Sequence, residues 1–223
     1  MQTYVVRVYQ PDGQAVDQPE LRGVVDEVAS SASVTVSAGD PVVAVSASGD
    51  AVAVWVWSAP TGDSVQVSDH PAGGGWGEPM TLAEAPRVGD PQVAVDANGD
   101  TFVAWSQGPD GSHSQVRAAD RPLGGIWQTT PQAFGDTSQV SGSERLAVDR
   151  NGDEALVWIA TDPSAGTSVP YATNRPAGGS WLTPLRLSGS AAQPQTGFPP
   201  AVAMDPPMLA APAFFNPCAS TAS

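Results

Sequence analysis

The sequence is poor in the residues that most often carry metal or redox chemistry. Among its 223 residues are one cysteine, two histidines and nine basic residues, all of them arginine, with no lysine. The single cysteine, Cys218, excludes an intrachain disulfide and a cysteine-based metal site. The two histidines, His70 and His113, lack the spacing of zinc ligands. We therefore predict no metal site built on cysteine or histidine.

The charge balance and the lack of long apolar runs restrict the classes of partner. The formal net charge is −14, with 23 acidic residues, whereas nucleic acids and anionic membranes are bound by clustered Lys and Arg. No apolar run approaches the roughly 20 residues of a membrane span. The first thirty residues also lack the apolar core of a signal peptide. We expect no nucleic-acid partner, no membrane partner and no export by the usual route.

Two phrases are repeated three times along the chain. A turn, a strand and a tryptophan recur at 48–55, 98–105 and 151–158, and Pro-x-Gly-Gly-x-Trp follows at 71–76, 122–127 and 176–181. The turn glycines Gly49, Gly99 and Gly152 lie 50 and 53 residues apart. Each copy has the pattern of four short antiparallel strands. A repeat of this length and pattern is typical of propeller blades.

The predicted fold class is therefore all-β. We expect a β-propeller-like array over 34–205, with four-stranded antiparallel blades at about 41–88, 91–138 and 144–190 and a partial blade at 200–205. An open arc and a ring closed by pairing 33–38 onto the last blade are competing arrangements.

The two ends of the chain fall outside the repeat. Val and Tyr enrichment predicts a short strand near the N-terminus, and apolar spacings of three and four predict an amphipathic helix after it. Residues 1–33 thus form a separate strand-helix segment, and 206–223 are predicted to be a disordered tail.

Residues that recur at one place in each copy are assigned to the scaffold. Asn98 followed by Gly99 predicts a type I′ hairpin turn, and the recurring tryptophans are predicted to pack blade against blade. The predicted structural set is Gly49, Trp55, Trp76, Asn98, Gly99, Trp105, Trp127, Asn151, Gly152, Trp158 and Trp181. Trp57 is singular, because Gln107 and Ala160 occupy its place in the other copies.

Two of the turns contain several acidic residues, whose oxygens are of the type that binds calcium. Asp96 to Asp100 and Asp149 to Asp153 present oxygen ligands, but the glycine comes too early for an EF-type loop. Asp and Asn also favour tight turns for local reasons. We predict turn chemistry and no cofactor, with calcium as the open alternative.

The blade pattern Pro-x-Val-Ala-Val-Asp-x-Asn-Gly-Asp, followed by Arg-Pro-x-Gly-Gly-x-Trp, resembles the sialidase-like propeller repeats of secreted actinobacterial proteins. The Asp-box of such repeats is not matched, because one residue too many separates Asp96 from Gly99. The resemblance implies an extracellular location. It also implies three arginines that grip a carboxylate and a Tyr nucleophile. The Arg-Ile-Pro signature is absent, Arg121 and Arg175 share one repeat position, and Tyr171 is the only Tyr in the repeats.

The loops that differ between copies are the predicted location of function, because a repeated scaffold carries its specificity in variable loops. These loops are 59–64, 108–114 and 161–168. The candidate binding residues are Trp57, Asp63, Asp110, His113, Asp162 and Tyr171, with no catalytic residue. We predict a non-catalytic binding module for a glycan or a protein partner. The alternatives are a remnant of a sialidase-like glycoside hydrolase and a truncated or frameshifted product without selected function.

An open arc of blades predicts self-association into homo-oligomers. Its end blades leave strand edges and apolar faces uncovered, which natural sheets avoid. Light scattering of the full chain at micromolar concentration is expected to show oligomers, and a sharp monomer peak would contradict this.

Overall fold

The computed structural model describes residues 37–39, 41–128, 130–162, 165–187 and 200–204. The predicted N-terminal segment 1–33 and the tail 206–223 lie outside the described residues. All described residues belong to one unit of the chain, Thr35–Ser223. The described part contains strands and no helix, so it holds no helix that could span a membrane. The all-β class is confirmed for this part of the chain.

Three four-stranded antiparallel meanders follow one another along the sequence, and in the first of them the first strand is divided into two short pieces, β1 and β2. Meander 1 (37–85) holds β1 (Ser37–Ala38), β2 (Val42–Val45), β3 (Ala51–Ala59), β4 (Gly62–His70) and β5 (Met80–Ala85). Meander 2 (87–134) holds β6 (Arg87–Val95), β7 (Thr101–Asp110), β8 (His113–Arg121) and β9 (Gln132–Phe134). Meander 3 (140–186) holds β10 (Val140–Val148), β11 (Glu154–Asp162), β12 (Thr167–Arg175) and β13 (Leu185–Arg186). Residues 200–204 are described and are not in a strand.

The meanders are organised as two sheets. Meander 1 forms a five-stranded sheet, in which β1 and β2 both pair with β3 as two halves of one first strand. Meanders 2 and 3 form an eight-stranded sheet, joined where Val140 of β10 pairs in parallel with Ser114 of β8. The described residues show no closed barrel or propeller ring. The competing arrangement, with 33–38 paired onto the last blade, is wrong for its described residues, since Ser37 pairs with Ser58 of β3.

All three repeat hairpins turn in the same way, and the predicted type I′ turn is wrong. The N–H of Asp96 donates to the Asp100 carbonyl at 3.1 Å, and the N–H of Gly99 donates to the Asp96 carbonyl at 3.3 Å. Gly99 has a φ of 89°, whereas Asn98 does not have a positive φ. This is a three-residue loop, with a type I turn followed by a left-handed glycine. The Asp96 carboxylate holds it by accepting the N–H groups of Asn98 and Asp100 at 2.8 and 2.9 Å.

One carboxylate in each copy ties the two repeated phrases together. The aspartate after the hairpin glycine accepts a hydrogen bond from the N–H of the second residue of Pro-x-Gly-Gly. The three bonds are Ala72 to Asp50 at 2.8 Å, Leu123 to Asp100 at 2.8 Å and Ala177 to Asp153 at 2.7 Å. Each Pro-x-Gly-Gly segment is itself a turn, closed at 2.8 Å from the last glycine N–H to the proline carbonyl. The first glycine has a positive φ, as a type II turn requires.

The core lies between consecutive meanders. One cluster joins meanders 1 and 2, with Val54 and Val67 against Val103 and Trp105. A second cluster joins meanders 2 and 3, with Ala104 and Phe134 against Leu156 and Trp158, to list four of its members. The first strands of consecutive meanders also lie close together, β2 beside β6 and β6 beside β10.

Replacing Asp100 by alanine should destabilise the protein by about 1–2 kcal/mol. The change leaves the Leu123 N–H without its charged acceptor, and a bond to a charged group contributes in this range. Asp100→Asn keeps an acceptor oxygen and should lose much less. Urea unfolding of the two variants and the wild type measures both effects. Equal losses in the alanine and asparagine variants would contradict the role of the acceptor.

Candidate functional site

The predicted binding residues are spread over all three meanders. Trp57 lies near the end of β3 and is 42% exposed, on the same strand face as the half-buried Trp55. Asp63 is buried, and its carboxylate accepts a hydrogen bond from the Val88 N–H at 3.3 Å. Asp63 therefore links meander 1 to the first strand of meander 2.

Asp110 and His113 lie together at the hairpin between β7 and β8. The Asp110 Oδ1 is 3.1 Å from Nδ1 of His113 and accepts the Ser112 N–H at 2.7 Å. The Ser112 bond and, to a smaller extent, the His113 interaction lower the pKa of the Asp110 carboxyl. This pair is exposed on the surface.

Asp162 and Tyr171 are on the neighbouring strands β11 and β12 of meander 3. Asp162 ends β11 and accepts a hydrogen bond from the Ala165 N–H at 3.1 Å. Tyr171 is half-buried and stacks on Trp158, with ring centroids 5.7 Å apart and planes inclined by 14°. The Tyr171 ring is thus packed in the contact between meanders 2 and 3.

The recurring tryptophans differ in burial from one meander to the next. Trp105 and Trp158 are fully buried, whereas Trp55, at the equivalent place in meander 1, is half-buried. In the second set, Trp127 is buried and Trp76 is 52% exposed. The meander 1 members are the more exposed of each pair because no described meander packs on that face.

The residue before each Pro-x-Gly-Gly turn packs on the tryptophan at the end of the same phrase. His70 meets Trp76 with ring centroids 5.0 Å apart. The guanidinium carbon of Arg121 lies 4.9 Å from the Trp127 centroid, and that of Arg175 lies 5.4 Å from the Trp181 centroid. A cation over an indole face is attracted by the ring quadrupole.

The same two arginines connect consecutive meanders. Arg121 makes a bidentate pair with Asp69 of meander 1, with both N–O distances at 2.6 Å. Arg175 donates to Asp120 of meander 2 at 3.0 Å and also binds Glu154 on the neighbouring strand. Burial raises the pKa of Glu154 to about 7, against the opposing pull of Arg175. Both guanidinium groups are therefore engaged in structural contacts.

A cleft of about 370 Å³ opens beside the β7–β8 hairpin. It lies among the end of β5, the link to β6, the facing ends of β7 and β8, and the segment before β10. The described lining residues are Glu84, Ala85, Pro86, Gln107, Gly108, Pro109, His113, Ser114, Gln115, Arg117 and Thr137. His113 is the one predicted binding residue among them. The variable loop 108–114 contributes to the lining, whereas the described residues of the other two variable loops do not.

A β-bulge shapes the wall of this cleft. The register of β7 and β8 shifts between Gln107 and Asp110, which places Gly108 opposite the His113 backbone. A Cβ at Gly108 would overlap the His113 carbonyl oxygen, so only glycine fits there. Bulges next to binding sites commonly redirect side chains.

The variable loops are shorter than predicted: Ala59 pairs with Gly62, and Asp110 pairs with His113.

Some polar groups of the cleft already form hydrogen bonds within the protein. Gln107 accepts a hydrogen bond from the Trp105 indole at 3.0 Å, which leaves its Nε2 without a bond to a described residue. Gln115 donates to the Gly135 carbonyl at 2.9 Å and accepts a hydrogen bond from the Arg117 guanidinium at 3.4 Å, while Arg117 forms no ion pair with a described residue. Sequence reasoning missed Gln107 and Arg117, because they reach one opening only through the pairing of β7 with β8, in which Gln107 lies opposite Gln115 and Arg117 lies opposite Trp105. Among the described residues, no group of three or more His, Cys, Asp or Glu is arranged to hold a metal ion.

Replacing Arg175 by methionine should destabilise the protein by about 3 kcal/mol at pH 8 and by less at pH 5. The variant leaves the Glu154 carboxyl buried without its cation, which is costly for the ionised form. The pKa of Glu154 is about 7 in the wild type and rises further without Arg175, so at pH 5 the carboxyl is neutral in both proteins and the cost falls. Thermal and urea unfolding at the two pH values give the comparison.

The double variant Arg175→Met with Glu154→Gln is the control for this prediction. It removes the carboxylate together with its cation, so its stability should depend less on pH than that of Arg175→Met alone. An equal loss at pH 5 and pH 8 in the single variant would contradict the role of the buried charge.

The resemblance to sialidase-like repeats rests on the repeated motifs. No protein-family model matches the chain, and no curated protein matches it at a significant level. The resemblance therefore stays a prediction.

Proposed function

We propose that the chain is a non-catalytic, β-propeller-type binding module whose ligand occupies the cleft beside the β7–β8 hairpin. Four-stranded antiparallel meanders with neighbouring first strands support a blade-like arrangement. The proposed ligand site is the cleft. Its volume of about 370 Å³ lies within the range of ligand sites.

The lining favours a protein partner, bound through a short polypeptide segment, over a glycan. The Nε2 of Gln107 and the guanidinium of Arg117 offer donors to the carbonyl groups of a peptide. Pro86 and Pro109 offer apolar surface to its side chains. No Trp, Tyr or Phe is among the described lining residues, so a sugar ring would find no indole or phenyl face to pack on.

The arginines support binding rather than glycoside hydrolysis. A sialidase-like site needs several arginines free to grip a carboxylate, but Arg121 and Arg175 are paired with Asp69 and Glu154. The Tyr171 ring is stacked on Trp158 within the core. A hydrolase with these residues in catalytic roles would have to break contacts that join the meanders.

Filling the cleft should abolish binding without unfolding the protein. Thr137→Trp places an indole at an exposed lining position, and Ile126→Trp places one at an exposed position outside the lining. The wild type is used first to select ligands from a displayed peptide library and is also applied to a glycan array. Selected peptides should bind the wild type and Ile126→Trp equally and lose at least about tenfold in affinity for Thr137→Trp.

The other outcomes are equally informative. Glycan binding that Thr137→Trp abolishes would keep the cleft and replace the ligand class. Binding that Thr137→Trp leaves unchanged would remove the cleft as the site. Blank results in both arms with folded protein would overturn the binding proposal.

A further inference from the structure

Meander 3 departs from the repeat at one position of its first strand. The other two copies have the triplet Gly-Asp-Pro, whose last residue is Pro41 or Pro91, where β10 has the triplet Gly-Ser-Glu, whose last residue is Glu144. The third copy therefore carries an ionisable side chain where the others carry proline.

The backbone around this position is a bulge in β6 and β10 alike. The registers shift between Gly89 and Gln92 and between Gly142 and Arg145. Asp90 and Ser143 both have a positive φ, of 48° and 55°. The two bulges touch, because the Ser143 N–H donates to the Asp90 carboxylate at 3.2 Å. Glu144 thus lies at the junction between the first strands of meanders 2 and 3.

The Glu144 side chain is fully buried and lacks a partner. Its exposed fraction is 0%, and neither carboxylate oxygen has a hydrogen-bond partner among the described residues. The N–H groups of Ser106 and of Glu144 itself favour the ionised form, but neither meets the geometry of a hydrogen bond. A buried carboxylate without an ion pair or hydrogen bonds is strongly disfavoured relative to its neutral form.

Burial raises the pKa of Glu144 well above its ordinary value of 4.5. Two charged side chains also act on it: Asp90 on β6 raises the pKa and Arg145 on β10 lowers it. Because the folded pKa exceeds that of the unfolded chain, the neutral group favours the folded state. This contribution is complete below about pH 4.5 and is lost as the pH rises through the folded pKa.

The same stretch of β10 borders the cleft. Ser114 lines the cleft, and its hydroxyl donates to the Ser141 carbonyl at 2.7 Å and accepts the Ser141 N–H at 2.9 Å. Val140 pairs with Ser114, and Thr137 is another lining residue. A displacement of β10 at Glu144 would therefore reach the cleft wall within three residues of chain.

We propose that Glu144 is a proton-dependent latch at the junction of meanders 2 and 3. Neutral, it stays buried between the two bulges, and β10 keeps its contact with β8 through Ser114 and Ser141. Ionised, it leaves the junction for solvent and loosens the Ser114–Ser141 contact. The latch does not depend on which ligand the cleft takes.

Hydrogen exchange of the full chain between pH 5 and pH 8 tests the latch. The readout is the protection of the Ser114 and Ser141 amides, corrected for the intrinsic pH dependence of exchange. Glu144→Gln cannot ionise, so these amides should be similarly protected in the two proteins at pH 5. At pH 8 they should exchange at least about tenfold faster in the wild type than in the variant.

Two further variants keep the test decisive. Glu144→Pro restores the repeat sequence and also cannot ionise, so it takes the place of Glu144→Gln if that variant does not fold. Asp90→Asn keeps an acceptor for Ser143 but removes a neighbouring negative charge, so it should move the wild-type transition to lower pH. The proposal is overturned if the ratio of wild-type to Glu144→Gln exchange stays constant over this pH range. It is also overturned if Asp90→Asn leaves the transition where it was.

Discussion

Each meander has two apolar faces and can bury them only against other parts of the structure. This constraint explains the most deeply buried side chains, because Trp105 packs on meander 1 and Trp158 packs on meander 2. An indole of this kind buries on the order of 200 Å², which corresponds to about 5 kcal/mol as an upper estimate. The ion pairs between meanders fix the orientation of this packing rather than adding buried area. Arg121 pairs with Asp69 of the preceding meander, and Arg175 pairs with Asp120 of the preceding meander.

The repeat made the all-β class and the strand order readable from sequence. Recurrence reveals positions that the scaffold requires, such as Gly99, whose φ of 89° is strained for other residues. The turn type was misread because the Asn-Gly pair has a strong local preference. The Asp96 carboxylate overrides it by capping the two following N–H groups. That capping oxygen lies outside the two residues on which the prediction relied.

The candidate site was much harder to predict than the scaffold. Variable loops pointed to the β7–β8 hairpin, and His113 does line the cleft. Asp63 has the same sequence signature, but its side chain is turned inward to cap Val88. Gln107 and Arg117 line the same opening because β7 pairs with β8, which places Gln107 opposite Gln115 and Arg117 opposite Trp105. Sequence periodicity within one strand contains no information on such a contact.

The inter-meander ion pairs make the middle of the array interchangeable. Arg121 and Arg175 are both directed at an aspartate of the preceding copy, so the two described junctions follow one rule. Removal of meander 2 by in-frame recombination would bring Arg175 opposite Asp69 and recreate the same pair. Duplication of meander 2 would add one more junction of the same kind.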